Sequence, residues 1–312
     1  MPLAASALLC PIAQPSLSLL SPSRLKHERF ILQYRIQYWI QYWPLPCILE
    51  PLYLFAFAAV GVVAGLLAGL LGIGGGAVIV PALILLFTQL GFVDTWIPHQ
   101  AVATSLATVV ATGAASTWAH QRRGAVSWEL VLRLAPWILI GAWLGAWIAG
   151  WLPAFWLKRL FALFLLYNGL RMLRAAPPTL TRGLPSTPVL GGFATVFGAL
   201  SALLGIGGGI LIVPFLARHG LAMQRAVATS SACGVPLALA GTLGFVLSGW
   251  AREGLPAHSI GFLYWPAALS IMALSMPMAT VGARLAHVLP TRTLRRIFGV
   301  LLLLVGLQLL LG

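Results

Sequence analysis

Two stretches decide how this chain folds: "LLGIGGGAVIVP" at residues 70–81 and "LLGIGGGILIVP" at residues 203–214. Each sets three consecutive glycines inside an apolar run, where a helical glycine costs about 1 kcal/mol relative to alanine. The same interruption recurs 133 positions later. It therefore reads as a built break in two otherwise continuous apolar segments.

Around the breaks lies membrane sequence. Of the 312 residues, 60% are hydrophobic and only 8% charged, whereas soluble domains carry about 25% charged residues. Runs approaching the roughly 20 residues needed to cross lipid occupy 54–88, 101–119, 130–151, 154–173, 188–217, 226–250, 260–283 and 293–311. The two glycine-broken runs are the longest, at 35 and 30 residues. A straight helix of either length overshoots a hydrocarbon core of about 30 Å.

Composition and motifs exclude several function classes. The net charge of +14 is spread between apolar runs instead of forming a basic patch, which argues against nucleic acid. Cys10, Cys47 and Cys233 show neither metal-ligand spacing nor a disulfide framework, and Cys233 reads as a small inert apolar residue. The acids Glu28, Glu50, Asp94, Glu129 and Glu253 lie outside or at the ends of the runs, so no intramembrane carboxylate offers a proton relay or sodium ligand. His99 and His120 bracket the second run and read as solvated helix-end groups. No nucleophile–base pair or H-E-x-x-H motif occurs, and "GIGGG" lacks the Lys-Ser/Thr of a phosphate loop. An enzyme, a metal site and a cofactor are all unexpected.

Aligning the halves on their triplets brings more pairs into register: "VP" at 80–81 and 213–214, "AVATS" at 101–105 and 226–230, then "GAWLGAWIAGWLP" (141–153) against "VGARLAHVLP" (281–290). Pro153, Lys158, Arg159, Phe161 and Gly169 are answered by Pro290, Arg295, Arg296, Phe298 and Gly306 at one offset of 137. The expected fold is an all-α polytopic membrane protein of two tandem four-segment repeats, residues 51–174 and 188–312, with a polar linker at 175–187. Residues 1–50, with the low-complexity "LQYRIQYWIQYW" at 32–43, are expected to be an N-terminal extension outside the repeats, disordered or upstream of the true start.

Basic residues choose between two topologies. If each broken segment crosses once, the fifteen Lys and Arg after residue 50 divide seven against eight. If each dips in and returns, only Lys158, Arg159 and Arg252 fall on one side and twelve collect on the other. The second arrangement has the bias of a cytoplasmic face. It makes the halves inverted repeats, each a re-entrant hairpin plus three crossings, with the C-terminus outside.

Duplicated halves with glycine-interrupted segments point to a transporter whose binding site lies at the interruptions, because irregular backbone survives in a membrane only where protein buries it or a cavity wets it. A half-helix starting after a glycine turn presents unpartnered N–H groups and positive potential, which suit an anion. The candidate backbone ligands are Gly74, Gly75, Gly76, Gly207, Gly208 and Gly209. The "ATS" elements add the hydroxyls of Thr104, Ser105, Thr229 and Ser230, with Ser231 beside them. Helix packing is the competing explanation for these hydroxyls. Arg225, which matches Gln100 ahead of "AVATS", reads first as a snorkelling interface residue. The expected partners are a small anion and the lipid bilayer, with no nucleic acid; a homo-oligomer is left open.

Paired "LLGIGGGxxxVP" motifs, each followed by "AVATS" and later by an "LP…LRR.F" helix, resemble the sulfite exporter TauE/SafE family, also called the toluene sulfonate uptake permeases. The likeness covers nearly all of residues 54–311, and its motif falls on Gly74, Gly75, Gly76, Pro81, Thr104 and Ser105 and on Gly207, Gly208, Gly209, Pro214, Thr229 and Ser230. It implies a permease of the bacterial inner membrane for small anions such as sulfite, sulfonates or related organic acids. A channel and a non-transporting intramembrane assembly protein are the alternatives.

Overall fold

The computed structural model describes residues 45–72, 74–174, 183, 185–285 and 291–311. The expectation for the N-terminal extension therefore falls almost wholly outside the described residues, as does that for most of the linker. Among the described residues ten helices form: α1 (Leu45–Leu71), α2 (Gly76–Gln89), α3 (Ile97–Gln121), α4 (Trp128–Trp151), α5 (Ala154–Arg174), α6 (Thr187–Leu203), α7 (Gly209–Arg218), α8 (Met223–Gly249), α9 (Trp265–Leu285) and α10 (Thr291–Leu311). Proline opens α3 and α6 in the first turn, where its missing N–H sacrifices no helical bond. Among the described residues, four helices contain a stretch long and apolar enough to cross a membrane: Leu52–Leu70, Trp128–Trp151, Met223–Gly249 and Trp265–Leu285.

The run at 260–283 departs from a plain helix. Its first residues pair as two short antiparallel strands, β1 (Ser259–Ile260) and β2 (Leu263–Tyr264), and the helix starts only at Trp265. Gly261 makes the turn at φ 56°, and a Cβ there would overlap the Val246 carbonyl. A left-handed glycine pressed against α8 prevents helix from extending back through it.

Both glycine-broken runs double back on themselves. A Cβ at Gly75 would lie 2.8 Å from the Ala64 carbonyl oxygen, while farther along α2 the Phe87 ring meets Phe57 edge-on at 6.2 Å. Moving forward on α2 thus means moving backward on α1. In the second half a Cβ at Gly208 would stand 3.8 Å from Ser201 Oγ, and Phe215 packs on Phe197 and Phe193 at 5.5 and 5.2 Å. The return helices of 14 and 10 residues rise about 21 and 15 Å.

Packing is closest where glycine removes side chains. On α1, Cβ atoms at Gly61, Gly65 and Gly69 would run into the backbone at Ile271, Ser275 and Ala279 of α9. On α4, Gly141 and Gly145 stand in the same relation to Thr195 and Ala199 of α6. This is the small-xxx-small contact of membrane helices, and in both pairs the residue numbers rise together, so the helices are parallel. By contrast α3 and α8 are antiparallel, since Ser116 meets Ser231, Gly113 faces Val235, and Gly241 faces Leu106. The pair α5 and α10 is antiparallel too, with Gly169 beside Leu303 and Gly306 beside Leu166.

Hydrogen bonds fix which ends lie together. Trp96 Nε1 donates to the Glu253 carbonyl at 3.1 Å, and His99 Nε2 sits 3.1 and 3.0 Å from the carbonyls of Ala149 and Leu152. The start of α3 therefore shares one end of the bundle with the ends of α4 and α8. The Ser127 N–H, at the start of α4, reaches Thr229 near the start of α8 at 3.1 Å, marking the other end.

Candidate anion site at the glycine breaks

Each break is a left-handed turn that delivers a new helix. Gly75 (φ 76°) and Gly208 (φ 77°) are the N-cap residues of α2 and α7, and Gly72 and Gly205 precede them at φ 67° and 69°. The backbone paths then differ, because Gly74 is left-handed at φ 73° whereas Gly207 has no positive φ. In the second break Gly208 N–H bonds to the Ile206 carbonyl at 2.8 Å, and the N–H groups of Leu211 and Ile212 both reach the Gly208 carbonyl, at 3.1 and 2.9 Å. Gly209 and Ile210 are left as α7 donors without a backbone acceptor among the described residues, the ordinary condition of a helix N-terminus.

The two breaks touch each other. A Cβ at Gly74 would lie 2.9 Å from Gly207 Cα, and one at Gly76 would overlap the Gly205 carbonyl. Helices α3 and α8 enclose this junction from matching faces. Val102 and Val109 of α3 abut Gly205 and Gly74, while Val227 and Gly234 of α8 abut Gly72 and Gly207. Val109 and Gly234 lie near the middle of their helices, so the junction sits at mid-height of the bundle. Gly72, Gly74, Gly75, Gly76 and residues 204–210 are all buried. The breaks are therefore closed off from the surface.

All four candidate hydroxyls are fully buried and do different things. Ser105 Oγ donates to the Gly205 carbonyl at 2.8 Å. Thr104 Oγ1 accepts the N–H of Tyr264 just ahead of α9, and Thr229 Oγ1 accepts the N–H of Ser127 just ahead of α4, both at 3.1 Å. Each threonine thus anchors the start of a helix in the other half while keeping its own proton to donate. Ser231 Oγ donates to the Val227 carbonyl at 3.1 Å and lies 3.3 Å from Ser116 Oγ. Ser230 Oγ has no partner among the described residues.

Other residues fall in and out of expectation. Arg225 is exposed at the start of α8. Asp94, Glu129 and Glu253 are exposed, and Cys233 is a free, buried thiol. His99 and His120 correct the sequence reading: they are not solvated but 1% and 2% exposed. The physical reason at His99 is that Phe262 of the strand pair stacks on its ring at 5.1 Å while the end of α4 supplies carbonyl acceptors. Sequence reading also missed Ser127 and Tyr264, whose offset of 137 matches that of the closing helices, and the four-residue glycine spacing of α1 and α4, which was there to be read.

The profile of the family described as Sulfite exporter TauE/SafE matches residues 57–309. A "Probable membrane transporter protein" of Haemophilus influenzae is 36% identical over 255 residues, covering 81% of this chain and 96% of its own length. A relative in Methanocaldococcus jannaschii with the same description is 31% identical, covering 81% of this chain and 93% of its own length. YunE of Bacillus subtilis, also named a probable membrane transporter protein, is 28% identical, with coverages of 80% and 94%. No solved structure matches the chain at a significant level. A match over most of the chain, on a helical bundle rich in apolar surface, places this protein among multi-pass membrane transporters: it belongs to the sulfite exporter TauE/SafE family.

Proposed function

We propose that the protein is a secondary carrier of small anions, sulfite, sulfonates or related organic acids, and that its halves are inverted repeats whose re-entrant hairpins bring the two breaks together as the substrate site. The observation that carries this reading is the contact of Gly74 with Gly207 and of Gly76 with Gly205, midway along the two enclosing helices. The backbone N–H groups of residues 74–76, 207 and 209 are the donors, that of Gly208 being tied to the Ile206 carbonyl, and the hydroxyls of Thr104, Ser105, Thr229 and Ser230 surround them. Neutral donors preorganised in a dry site hold an anion without the cost of burying a fixed cation.

Packing supports the inversion. Exchanging first half for second turns the α1–α9 contact into α6–α4 and leaves the α3–α8 and α5–α10 pairs unchanged. Self-paired helices that are antiparallel fit a two-fold axis lying in the membrane plane. The hydrogen bonds that assign the bundle ends put Lys158, Arg159 and Arg252 at one end, opposite Arg122, Arg123, Arg174 and Arg218, in keeping with a cytoplasmic face at the basic end. Helix α3, rich in threonine and serine, crosses inside the bundle where its hydroxyls are shielded from lipid. A screen of uptake and efflux in reconstituted vesicles with sulfite, thiosulfate, sulfoacetate and matched carboxylates tests the proposal. Saturable flux of at least one anion is expected; large unsaturable conductance would favour a channel, and no flux of any would refute transport of this class.

A further inference from the structure

Although the breaks match in sequence, their serines are not in the same chemical state. On α3, Val102, Ser105 and Val109 share one face at i, i+3 and i+7: Val102 abuts Gly205, Val109 abuts Gly74, and Ser105 between them bonds the Gly205 carbonyl at 2.8 Å. On α8 the counterparts at an offset of 125 are Val227, Ser230 and Gly234. Val227 abuts Gly72 and Gly234 abuts Gly207, so Ser230 faces the junction from between them. Yet its hydroxyl, at 0% exposure, has neither a donor nor an acceptor among the described residues. The difference accompanies the differing backbone paths, left-handed at Gly74 and not at Gly207.

A buried hydroxyl without a partner is costly and rarely kept without cause. We infer that Ser230 is the side chain that contacts the transported anion, and that Ser105 is a strut holding the second break in shape. This assignment rests on the anion-carrier reading above. It makes the site one-sided: the anion sits against the α8 wall of the junction, its oxygen accepting the Ser230 proton, while the α3 wall is already satisfied. Keeping an unpaired hydroxyl buried sacrifices stability for affinity, a usual exchange at binding sites.

The test compares thermal unfolding of the purified full-length protein and its Ser230→Ala and Ser105→Ala variants, each with and without sulfite, thiosulfate, sulfoacetate or acetate, alongside flux of the same anions in vesicles. In the parent, at least one anion should raise the unfolding temperature. Ser230→Ala should unfold at the parent's temperature or higher without anion, and need at least tenfold more anion for half-maximal stabilisation. Ser105→Ala should unfold at a lower temperature, because the Gly205 carbonyl is orphaned. A Ser230→Ala protein with the parent's anion affinity, or one that loses stability as Ser105→Ala does, would overturn the assignment and leave the carrier reading standing. A parent that neither binds nor moves any of the four anions would bring down both.

Discussion

Replacing Gly75 or Gly208 by alanine separates a broken helix from a continuous one, because the two predict opposite signs. In a continuous helix the change stabilises by about 1 kcal/mol. At φ 76° and 77° it instead places a Cβ in left-handed backbone, at a cost of roughly 1–2 kcal/mol. The surroundings then distinguish the sites. At Gly75 the new Cβ would lie 2.8 Å from the Ala64 carbonyl oxygen and 3.2 Å from its carbon, helix backbone that has little room to yield, which adds about 1–3 kcal/mol of overpacking. At Gly208 the near atoms are the Cδ1 methyls of Ile212 and Leu237, at 3.0 and 3.2 Å, ends of side chains that can turn aside. Gly75→Ala should therefore lose about 2–5 kcal/mol and Gly208→Ala about 1–2. Reversible unfolding of the purified proteins in mixed micelles measures both. Gly208→Ala should remain folded yet lose transport, since a side chain forced into left-handed backbone shifts the turn that aims the following N–H groups. If either variant proved more stable than the parent, the left-handed turns would be wrong and the triplets would be packing surfaces only.

Three other outcomes follow from the contacts. Thr229→Val and Thr104→Val should each lower stability by about 1–3 kcal/mol, because the Ser127 and Tyr264 N–H groups lose their acceptors; Thr→Ser at the same positions should restore most of it, and unfolding in micelles reads the difference. Gly145→Val should push α4 from α6, where even one Cβ meets the Ala199 carbonyl, costing upwards of about 2 kcal/mol and showing as loss of folded monomer in size-exclusion chromatography. A tag after Gly312 should be reached by membrane-impermeant label from outside intact cells, since the inverted arrangement brings α10 out at that face; labelling only after permeabilisation would refute the inversion.

Much of this was legible in sequence because the two halves check each other. The paired triplets gave the positions of both breaks, and the apolar runs gave nearly every helix within a few residues. What stayed hidden depends on tertiary contact. Nothing at residues 95–105 tells that the strand pair at 259–264 folds over the start of α3, so His99 reads as a solvated helix end while Phe262 buries it. Likewise Thr104 and Thr229 look like donors awaiting a ligand, whereas the acceptor half of each hydroxyl is engaged 160 and 102 positions away. The asymmetry between Ser105 and Ser230 is the extreme case, for the surrounding "AVATS" is identical while one hydroxyl is bonded and the other is not.

Whether the meeting glycine breaks form the site of a small-anion carrier is decided by counterflow of radiolabelled sulfite into proteoliposomes loaded with unlabelled sulfite. The parent protein should show saturable uptake that internal sulfite accelerates, and Gly208→Ala, reconstituted at equal folded amount, should show none. Uptake that internal sulfite leaves unchanged, or that survives intact in Gly208→Ala, would contradict that assignment.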